Sequence, residues 1–459
     1  MEQRNVTRRN TEHEGEIQLY LVPSAARVRK EKEMEVVYPR CCGMDVHKAT
    51  VCACINIKSE GGGTEKEKRR FETTTEELQA LAAWLRQAQV TTVAMEATGV
   101  YWKPVWNALE QEFELLLVNP QHLKAIPGKK TDFRDGERIA DLLQHGLLQG
   151  SFVPPGPIRE LRDLTRTRAS FAQERSRVIN RIEKTLEDPH IKLGVVASDI
   201  VGVWGRAMLE AMIEGESDPD KLAELAKGTL RKKIPQLRLA LQGKITDHHR
   251  FLLRQWLDTL DFVDRKLALL DQQIAEKARP FESTIVQWTM VPGLRGTERK
   301  RGERQPINAY SLLAEIGDDL TRFRSAGHLA SWACLCPGNR ESAGKQTSGR
   351  TRTGNRWLRR TLCEAAWAAS HTKRSYFGAL YRRLVRGRGK NRALIAVAHS
   401  LLVTIYTITV FGMPYRDLGD DYYERLNRKH LERSLLKRLD KLGNEVTMKP
   451  KAQPLPAPA

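Results

Sequence analysis

Short apolar runs alternate with amphipathic segments between residue 40 and about residue 120, and this alternation constrains the fold more than any other feature of the sequence. The run GMDVHKATVCACINI predicts a strand with a break or the start of a hairpin, and EKRRFETT predicts a second strand. TEELQALAAWLRQA and YWKPVWNALEQEF are typical of helices, whereas TTVAMEA and ELLLVNP are short enough to be buried strands. Strands that alternate with helices predict an α/β sheet with some parallel pairing.

The chain is strongly basic. Its 459 residues include 76 Lys and Arg against 56 Asp and Glu, which gives a formal net charge of +20. This balance favours a nucleic-acid partner over a small-molecule substrate. A membrane surface is the other common polyanion, but no basic amphipathic helix lies beside a lipid anchor. The N-terminal residues have no apolar signal region, so no signal peptide is expected.

One apolar run, residues 393–413, is long enough to cross a bilayer. It contains His399, Ser400 and three threonines, and a helix of this kind can be buried in a large protein, so we expect no membrane span. The seven cysteines have neither C-x-x-C zinc spacing nor the pattern of a disulfide framework. They indicate reduced, mostly buried thiols in a cytoplasmic protein.

Two long helical tracts follow the sheet region. The first, residues 157–188, is dense in charge of both signs. In the second, apolar residues recur at spacings that alternate between 3 and 4, which is a heptad seam: Leu253, Trp256, Leu260, Val263, Leu267, Leu270 and Ile274. An antiparallel or an intermolecular coiled coil fits this seam, and an ordinary buried helix face is the alternative. The segment 190–244 has no pattern that assigns it.

Residues 339–392 contain 15 Lys and Arg against 2 Asp and Glu. Aromatic residues are interleaved with these cations: Trp357, Trp367, Tyr376, Phe377 and Tyr381. The pattern is typical of a nucleic-acid surface, although a solvated basic face over an aromatic core is the alternative. The candidate nucleic-acid contacts are Arg340, Lys345, Arg350, Arg352, Arg356, Arg359 and Arg360.

Four carboxylates occupy positions where sheets of this kind collect ligands. Asp45 lies in the first strand, Glu96 ends a later strand, and Asp132 and Asp135 lie at a helix start in KTDFRDGERIADLL. Residues i and i+3 share a helix face, and open α/β sheets bind ligands at the carboxyl ends of their strands. Three or four oxygen ligands favour Mg²⁺ or Mn²⁺ over zinc, and such ions polarise a phosphate.

The aspartate pair taken alone does not require a metal ion. Acids are common at helix starts because they interact favourably with the helix dipole. Nearby Lys129, Lys130 and Arg134 could also neutralise the two carboxylates. The pair by itself therefore leaves capping and metal binding open.

Three blocks of the sequence resemble one transposase family in order, spacing and flanking residues: GMDVHK, MEATGVYWKPV and VNPQHLKAIPGKKTDFRDGERIADLL. They resemble the DEDD insertion-sequence transposases, also called bridge-RNA-guided recombinases. The segment from SAGHLASW to TLCEAAW resembles the C-terminal transposase domain of the same family. The resemblance implies a RuvC-like N-terminal domain with an RNase H fold. It also implies an acidic, metal-binding catalytic tetrad for Mg²⁺ (or Mn²⁺), formed by Asp45, Glu96, Asp132 and Asp135.

The resemblance further implies a serine nucleophile, which matches Ser342 in GNRESAGK. A serine hydroxyl is a weak nucleophile until a base, a metal or cationic surroundings activate it. The nearby cations that could stabilise the developing charge are Arg340, Lys345 and Arg350. Without the resemblance, Ser342 could be an ordinary loop serine, and Ser331 or Ser348 would be equally eligible.

These observations predict an α/β RNase H-like (RuvC-like) N-terminal domain, a helical coiled-coil middle and a mostly α C-terminal transposase domain. The expected segments are a disordered leader at 1–39, the RuvC-like domain at 40–150, a helical linker at 151–282 with the unassigned insert 190–244, the transposase domain at 283–415, and a basic helical then Pro-rich tail at 416–459. The loop 295–307 is longer than the family's usual turn.

The expected function is a DNA transposase or recombinase that cuts and rejoins the ends of a mobile element in a bacterial cytoplasm, in association with the nucleoid. The resemblance implies a guide RNA, a homodimer or homotetramer, and a composite site in which the tetrad of one protomer faces Ser342 of another. One alternative is a RuvC-like junction nuclease that needs the tetrad but no serine. Another is a non-catalytic nucleic-acid-binding relic, which needs none of these residues.

Overall fold

The computed structural model describes residues 35–59, 61–96, 99–120, 132–298, 304–338, 340–342, 345–352, 354–426 and 428–443. Most of the expected leader, the Pro-rich end and the positions of Lys129 and Lys130 lie outside these ranges. The chain divides into two compact units, Met1–Val153 and Pro154–Ala459. A mixed α/β sheet in the first unit and a mostly helical remainder confirm the fold class at this level.

The first unit is built on a six-stranded sheet with the order β3-β2-β1-β4-β5-β6. The strands are β1 Arg40–Val46, β2 Thr50–Lys58, β3 Thr64–Glu72, β4 Thr92–Glu96, β5 Glu114–Val118 and β6 Gly150–Ser151. Strands β1, β2 and β3 pair antiparallel, so GMDVHKATVCACINI forms a hairpin. Strands β1, β4 and β5 pair in parallel, as the alternation of strands and helices predicts.

Each face of this sheet has its own core, because successive side chains of a strand point to opposite faces. Cys42, Met44 and Val46 of β1 belong to the core beneath helices α1 (Thr75–Gln87) and α2 (Trp102–Leu109). Cys41, on the opposite face, packs with Ile139 and Leu143 of helix α3 (Asp132–Gln144). Gly43 and Asp45 share the face of Cys41, so Asp45 points to the side of the sheet that α3 covers.

The backbone of helix α3 lies so close to this face of the sheet that only glycine fits at two of the contact positions. A Cβ atom on Gly43 would lie 2.2 Å from the backbone nitrogen of Ala140, and one on Gly136 would lie 2.9 Å from the carbonyl oxygen of Cys52. Two glycines therefore let the helix backbone rest directly on β1 and β2. This contact fixes the first turn of α3, which carries Asp132 and Asp135, relative to the strand that carries Asp45.

We expect Gly43→Ala to lower the free energy of unfolding by about 3 kcal/mol or more, because neither backbone can move away from the added methyl group. Gly61→Ala is the matched control, since a Cβ atom there has no neighbour within 4 Å. Denaturation curves of the two variants measure the difference. Equal stability of the two variants would contradict the close packing of α3 on β1.

Two 32-residue helices, α4 (Gly156–Glu187) and α9 (Asp247–Ala278), form an antiparallel pair in the second unit. Their ion pairs run in opposite directions along the two helices: Glu160 with Lys277 at 2.7 Å, Arg168 with Asp271 at 2.5 Å, and Arg175 with Asp264 at 2.6 Å. The pair is therefore held within a single chain.

The buried stripe of α9 differs slightly from the heptad seam in the sequence. Leu257 and Asp271 are buried, whereas Trp256 and Leu270, which the strict seam includes, are only half-buried. The buried positions follow the 3.6-residue period of a straight helix, and Asp271 is accommodated because Arg168 pairs with it. The other seam residues are buried inside the chain, so a second copy would have to use another face.

The unassigned segment 190–244 folds as a small helical cluster at the end of this pair. It contains α5 Leu193–Val196, α6 Val203–Ile213, α7 Pro219–Glu224, a 3₁₀ turn at Gly228–Lys233 and α8 Ile234–Ala240. Its core includes Met208, Leu209 and Leu237, which pack with Ile182 of α4 and Leu257 of α9.

The rest of the second unit is helical around one large core. Its helices are α10 Glu282–Thr289, α11 Ile307–Ile316, α12 Ala326–Trp332, α13 Arg356–His371, α14 Tyr376–Arg388, α15 Lys390–Val410, α16 Tyr422–Leu426 and α17 Arg428–Lys441. Two short hairpins interrupt them: β7 Thr297–Glu298 with β8 Arg304–Gln305, and β9 Arg340–Ser342 with β10 Lys345–Ser348. The first hairpin occupies part of the enlarged loop, whose residues 299–303 lie outside the described ranges.

Helix α15 contains most of the apolar run at 393–413. By length and composition it could cross a membrane. Here Val397, Leu401, Leu402 and Ile405 are buried in the core of the second unit. Its apolar character is accounted for by packing against the surrounding helices.

Candidate functional site

Asp45 and Glu96 lie side by side at the carboxyl ends of two parallel strands. The register pairs Met44 of β1 with Met95 of β4, so Asp45 and Glu96 are the next residues along the two strands. Side chains at matching positions of parallel neighbours share a face, about 4.8 Å apart across the sheet. The two carboxylates therefore belong to the face that α3 covers, at the sheet edge where ligands of α/β proteins bind.

The start of α3 is brought to the same face. Asp135 precedes Gly136, whose backbone rests on β2, and its side chain is half-buried. Asp132 is the first residue of α3 and lies one turn before Gly136. Its side chain lies outside the described residues. The fold thus places Asp45, Glu96 and the first turn of α3 on one side of the sheet.

Asp45 is almost fully buried, with 6% of its surface exposed. His47, two residues later, places its Nε2 atom 3.1 Å from Oδ2 of Asp45, and its side chain is 47% exposed. This histidine is part of the GMDVHK block but was not among the site residues predicted from the sequence. Among the described side chains, no group of three or more His, Cys, Asp or Glu is placed to hold a metal ion.

Two further acids of α3 have a structural role. Glu137 accepts hydrogen bonds from Lys68 at 2.5 Å and from Lys66 at 3.0 Å, and Asp141 pairs with Lys66 at 2.7 Å. The hydrogen bonds from Lys68 and Lys66 hold the pKa of Glu137 below its ordinary value. These contacts tie α3 to β3, so the carboxylates of Glu137 and Asp141 are engaged in holding the helix on the sheet.

The carboxylates on this side of the sheet are the chemical type of donor that a hard divalent cation prefers, although the described side chains are not gathered into a three-ligand site. Asp45, Glu96 and Asp135 offer carboxylate oxygens, which Mg²⁺ and Mn²⁺ prefer. Burial raises the pKa of Cys41, on the same face, to about 12, and that of Cys54 in β2 to about 11. Burial therefore favours the neutral thiol form of both cysteines.

Ser342 is the last residue of β9 and pairs with Lys345, the first residue of β10. Its position is thus the tip of a hairpin between α12 and α13, and its side chain lies outside the described residues, as do those of Arg340 and Lys345. The base of the hairpin is closed by the bridge of Pro337 with Thr351. Ser331, by contrast, lies in helix α12.

Several of the predicted nucleic-acid residues brace this hairpin. Arg359 donates hydrogen bonds to the carbonyl oxygen of Cys334 at 3.4 Å and to Oγ1 of Thr351 at 2.8 Å. Arg352 donates to Oγ of Ser331 at 3.4 Å. The structure gives both arginines contacts at the base of the Ser342 hairpin, and their contact with nucleic acid stays a prediction.

The described cations of the prediction differ in exposure. Arg350, Arg352 and Arg356 are exposed. Arg360 is half-buried and donates to Glu364 at 2.7 Å, on the same helix. The exposed members can be reached by a phosphate backbone, while Arg360 is partly engaged within α13.

A buried acid, Glu315 in α11, anchors the helix that follows the hairpin. Its side chain is 1% exposed and accepts two hydrogen bonds from Arg166 at 2.7 and 2.8 Å. It also accepts from Asn355 at 2.5 Å, and Asn355 caps the start of α13 through the backbone nitrogen of Trp357. Glu315 therefore fixes α4, α11 and the start of α13 together.

The sequence analysis did not predict this network around Glu315, although the sequence contains two signals of it. Glu315 is a single acid inside the apolar run SLLAEIG, and Asn355 immediately precedes a helix in GNRW, which is a capping position. Arg162 completes the network by donating to the carbonyl oxygens of Ala314 and Glu315. Burial lowers the pKa of Arg162 to about 10, so it remains charged at neutral pH.

We expect Glu315→Gln to destabilise the second unit by about 3 kcal/mol, because it leaves Arg166 and Arg162 without their buried counter-charge. Glu160→Gln is the control, since it removes an acid from an exposed pair with Lys277 in the same unit. Chemical denaturation compares the two variants. A Glu315→Gln midpoint equal to that of the control would show that the buried charge is not needed.

Two regions of the chain match families of transposases. Residues 42–191 match the DEDD transposase family of the IS110 type. Residues 305–382 match the family described as Transposase IS116/IS110/IS902. The first range contains Asp45, Glu96, Asp132 and Asp135, and the second contains Ser342.

A relative from Streptomyces coelicolor, described as "Insertion element IS110 uncharacterized 43.6 kDa protein", is 27% identical over 314 residues. The alignment covers 63% of this chain and 73% of the relative. Transposase domains imply a DNA-transposing enzyme with DNA as its partner, and the DEDD type implies dependence on a divalent metal. Such an enzyme is expected to be soluble and cytoplasmic. The two domains and the insertion-element relative together support a DEDD insertion-sequence transposase.

Proposed function

We propose that this transposase cuts and rejoins the ends of a mobile element with an acidic tetrad that binds a divalent metal and a serine nucleophile, Ser342. The observation that carries the tetrad is the register of β1 and β4, which sets Asp45 beside Glu96 on the face that α3 covers. The order of strands, with an antiparallel β1-β2-β3 sheet extended in parallel by β4 and β5, supports an RNase H-like identity for the first unit.

Asp45, Glu96, Asp132 and Asp135 would hold Mg²⁺ or Mn²⁺. A divalent ion held there would polarise a phosphate oxygen and neutralise charge that develops at the attacking and leaving oxygens. The carboxylates of the chain would set where the ion sits and would keep it at the sheet edge. This role would explain why a chain with a net charge of +20 groups four acids together, since they would hold a cation against a polyanion.

The chemistry at Ser342 is a phosphoryl transfer. The Oγ atom attacks the scissile phosphorus, a new Oγ–P bond forms, and the P–O bond to the leaving nucleotide oxygen breaks. The hydroxyl proton leaves Oγ, and the leaving oxygen takes up a proton. One phosphoester bond replaces another, so a strand held on the serine can be joined to a new hydroxyl without an external energy source.

The position of Ser342 at a hairpin tip supports this role, because a tip can approach a phosphate that a helical serine cannot reach. The sequence places cationic residues in and beside the hairpin: Arg340 and Lys345 belong to its strands, and Arg350 and Arg352 lie at its base. Cations in such positions stabilise charge on a transferring phosphoryl group. We propose Arg340 and Lys345 for that role at Ser342.

A guide RNA and assembly into a homodimer or homotetramer are further parts of the proposal. The basic character of residues 339–392 supports nucleic-acid binding, and the guide RNA is what the family resemblance implies. The seam of α9 is occupied by α4, so assembly would use surfaces other than the predicted seam.

The proposal is tested with purified full-length chain, DNA that carries both element ends, and RNA transcribed from the flanking non-coding region. We expect joined products with Mg²⁺ or Mn²⁺ and none after chelation with EDTA, because the tetrad requires a bound cation. Reactions without the RNA test the guide separately. Joined products that persist in EDTA would overturn the metal-binding tetrad, and equal yields without RNA would remove the guide.

A further inference from the structure

Trp367 is placed where a protein core does not need it. All nine tryptophans lie in the described part of the chain, and among them Trp367 alone is exposed, at 52%. Helix α13 already buries its core face through Leu358, Leu362, Ala365 and Ala369. The Trp367 ring therefore adds little to the core, and exposed aromatic rings commonly mark binding surfaces.

Two other rings join Trp367 on the surface of α13 and α14. The centroid of His371 lies 4.2 Å from that of Trp367, and the centroid of Tyr381 lies 6.5 Å from Trp367 and 6.4 Å from His371. The Nδ1 atom of His371 is 2.8 Å from the carbonyl oxygen of Trp367, so the imidazole is held in place. The cluster is pre-organised, and a ligand that stacks on it orders few side chains.

The charge around the ring cluster is mostly positive, and Glu364, one turn before Trp367 on α13, is paired with Arg360 at 2.7 Å. Residues 365–400 contain eight Lys and Arg and no Asp or Glu. Of these cations, Lys373, Arg374, Arg382 and Arg386 are exposed in the turn after α13 and in α14. A surface of aromatic rings with an excess of cations matches a nucleic-acid strand, whose bases stack while its phosphates pair with the cations.

The turn beside His371 gives a second indication. Arg374 has a φ of 54°, in the left-handed region that favours glycine or asparagine. An arginine held there suggests that its side chain is used, because glycine would adopt the same backbone with less strain. Its place in the turn, three residues after His371, suits contact with a phosphate next to a base on the rings.

We propose that Trp367, with His371 and Tyr381, forms a stacking platform for an unpaired nucleotide of DNA or RNA, and that Lys373 and Arg374 bind the adjoining phosphates. This inference rests on the proposed function, since it gives the transposase a contact with single strands that cleavage and joining expose. It assigns no part in the chemistry to Trp367. The platform recognises the flat face of a base, so it tolerates any sequence.

The test measures fluorescence-anisotropy binding of three labelled probes to the full-length chain at one salt concentration. The probes are an oligo-dT strand, an oligo-U strand of equal length and a blunt DNA duplex. We expect Trp367→Ala to weaken single-strand binding roughly 5- to 150-fold and leave duplex binding nearly unchanged, because a duplex has no unstacked base to offer. Trp367→Phe keeps a ring and should restore most of the affinity.

Two controls separate stacking from charge and from loss of fold. Phe262→Ala removes an exposed aromatic residue from α9, outside the basic run, and should change no affinity. Arg374→Gly suits the backbone and should weaken all three probes alike, because it removes a phosphate contact. The affinity that Trp367→Ala loses is compared for oligo-dT and oligo-U, and the probe with the larger loss identifies whether the platform holds DNA or RNA.

The outcomes distinguish the platform from the proposed function. If Trp367→Ala weakens duplex and single strands equally, or changes neither, the platform is wrong even when the wild type still joins element ends. If the wild type binds none of the probes at low salt, the proposed function fails before the platform is in question.

Discussion

Replacing Ser342 with alanine is expected to abolish the covalent protein–DNA adduct and to slow strand cleavage by at least about 10³-fold, because the attacking oxygen is removed. The substrate is DNA nicked close to the cleavage point, so that the leaving fragment diffuses away and the serine-linked strand is trapped. On a denaturing gel the wild type should give a slowly migrating adduct, and Ser342→Ala should give none.

The other serines eligible from the sequence provide the controls. Ser331 lies in α12, where its Oγ accepts a hydrogen bond from Arg352, and Ser348 is the last residue of β10. Ser331→Ala and Ser348→Ala should both keep the adduct. If Ser342→Ala cuts DNA at the wild-type rate without an adduct, water is the nucleophile and the chain is a junction nuclease.

The sheet and its acidic edge could be predicted because period-2 patterns determine the face of each residue. An acid in GMDVHK and another at the end of TTVAME are strand-end positions, and the parallel pairing of β1 with β4 then makes them neighbours. The role of Gly43 could not be predicted in this way. Its reason is the backbone of Ala140, which comes into contact only after the whole sheet has formed.

The second unit shows why sequence patterns fail in other places. Three helices of the segment 190–244 are short, with 4 residues in α5, 6 in α7 and 7 in α8, so no apolar period lasts long enough in them to be recognised. The 11-residue α6 is the exception. In α9 the strict heptad selected Trp256 and Leu270, whereas the straight helix buries the next residues along the chain, Leu257 and Asp271. Asp271 is tolerated only because Arg168, on a helix distant in sequence, pairs with it.

The roles of the arginines could not be separated by composition. Arg359 and Arg356 are three residues apart in the same basic run, yet Arg356 is exposed while Arg359 braces the Ser342 hairpin. A count of cations predicts a nucleic-acid surface but not which guanidinium groups have partners within the protein. For Arg359 those partners are the Thr351 hydroxyl and the Cys334 carbonyl oxygen, and nothing in the sequence marks either of them as the partner of an arginine.

Replacing Asp45 with asparagine is expected to abolish strand cleavage, by at least about 10³-fold, while DNA binding stays nearly intact. Asparagine keeps the shape of the side chain at a position that is only 6% exposed, so the fold should tolerate it. It removes the negative charge that a divalent ion requires from its ligands. Asp132→Ala, at the start of α3, should have the same two effects.

Glu137→Gln is the matched control for these variants. Glu137 lies on α3 two residues after Asp135, but its carboxylate is paired with Lys66 and Lys68. It should therefore keep cleavage close to the wild-type rate. Loss of activity in Glu137→Gln comparable to that in Asp45→Asn would show that α3 is sensitive to any lost acid and that the tetrad has no special role.

Metal binding can be measured without catalysis. A cation that binds only the folded chain raises its melting temperature, so Mn²⁺ should stabilise the wild type and Glu137→Gln but not Asp45→Asn or Asp132→Ala. Mg²⁺–oxygen bonds are near 2.1 Å, so the ligands of one ion must lie within a few ångströms of each other. If Mn²⁺ stabilises Asp45→Asn as much as the wild type, the ion binds elsewhere. If Asp45 and Asp132 lie more than about 10 Å apart in a metal-bound structure, the tetrad hypothesis is wrong.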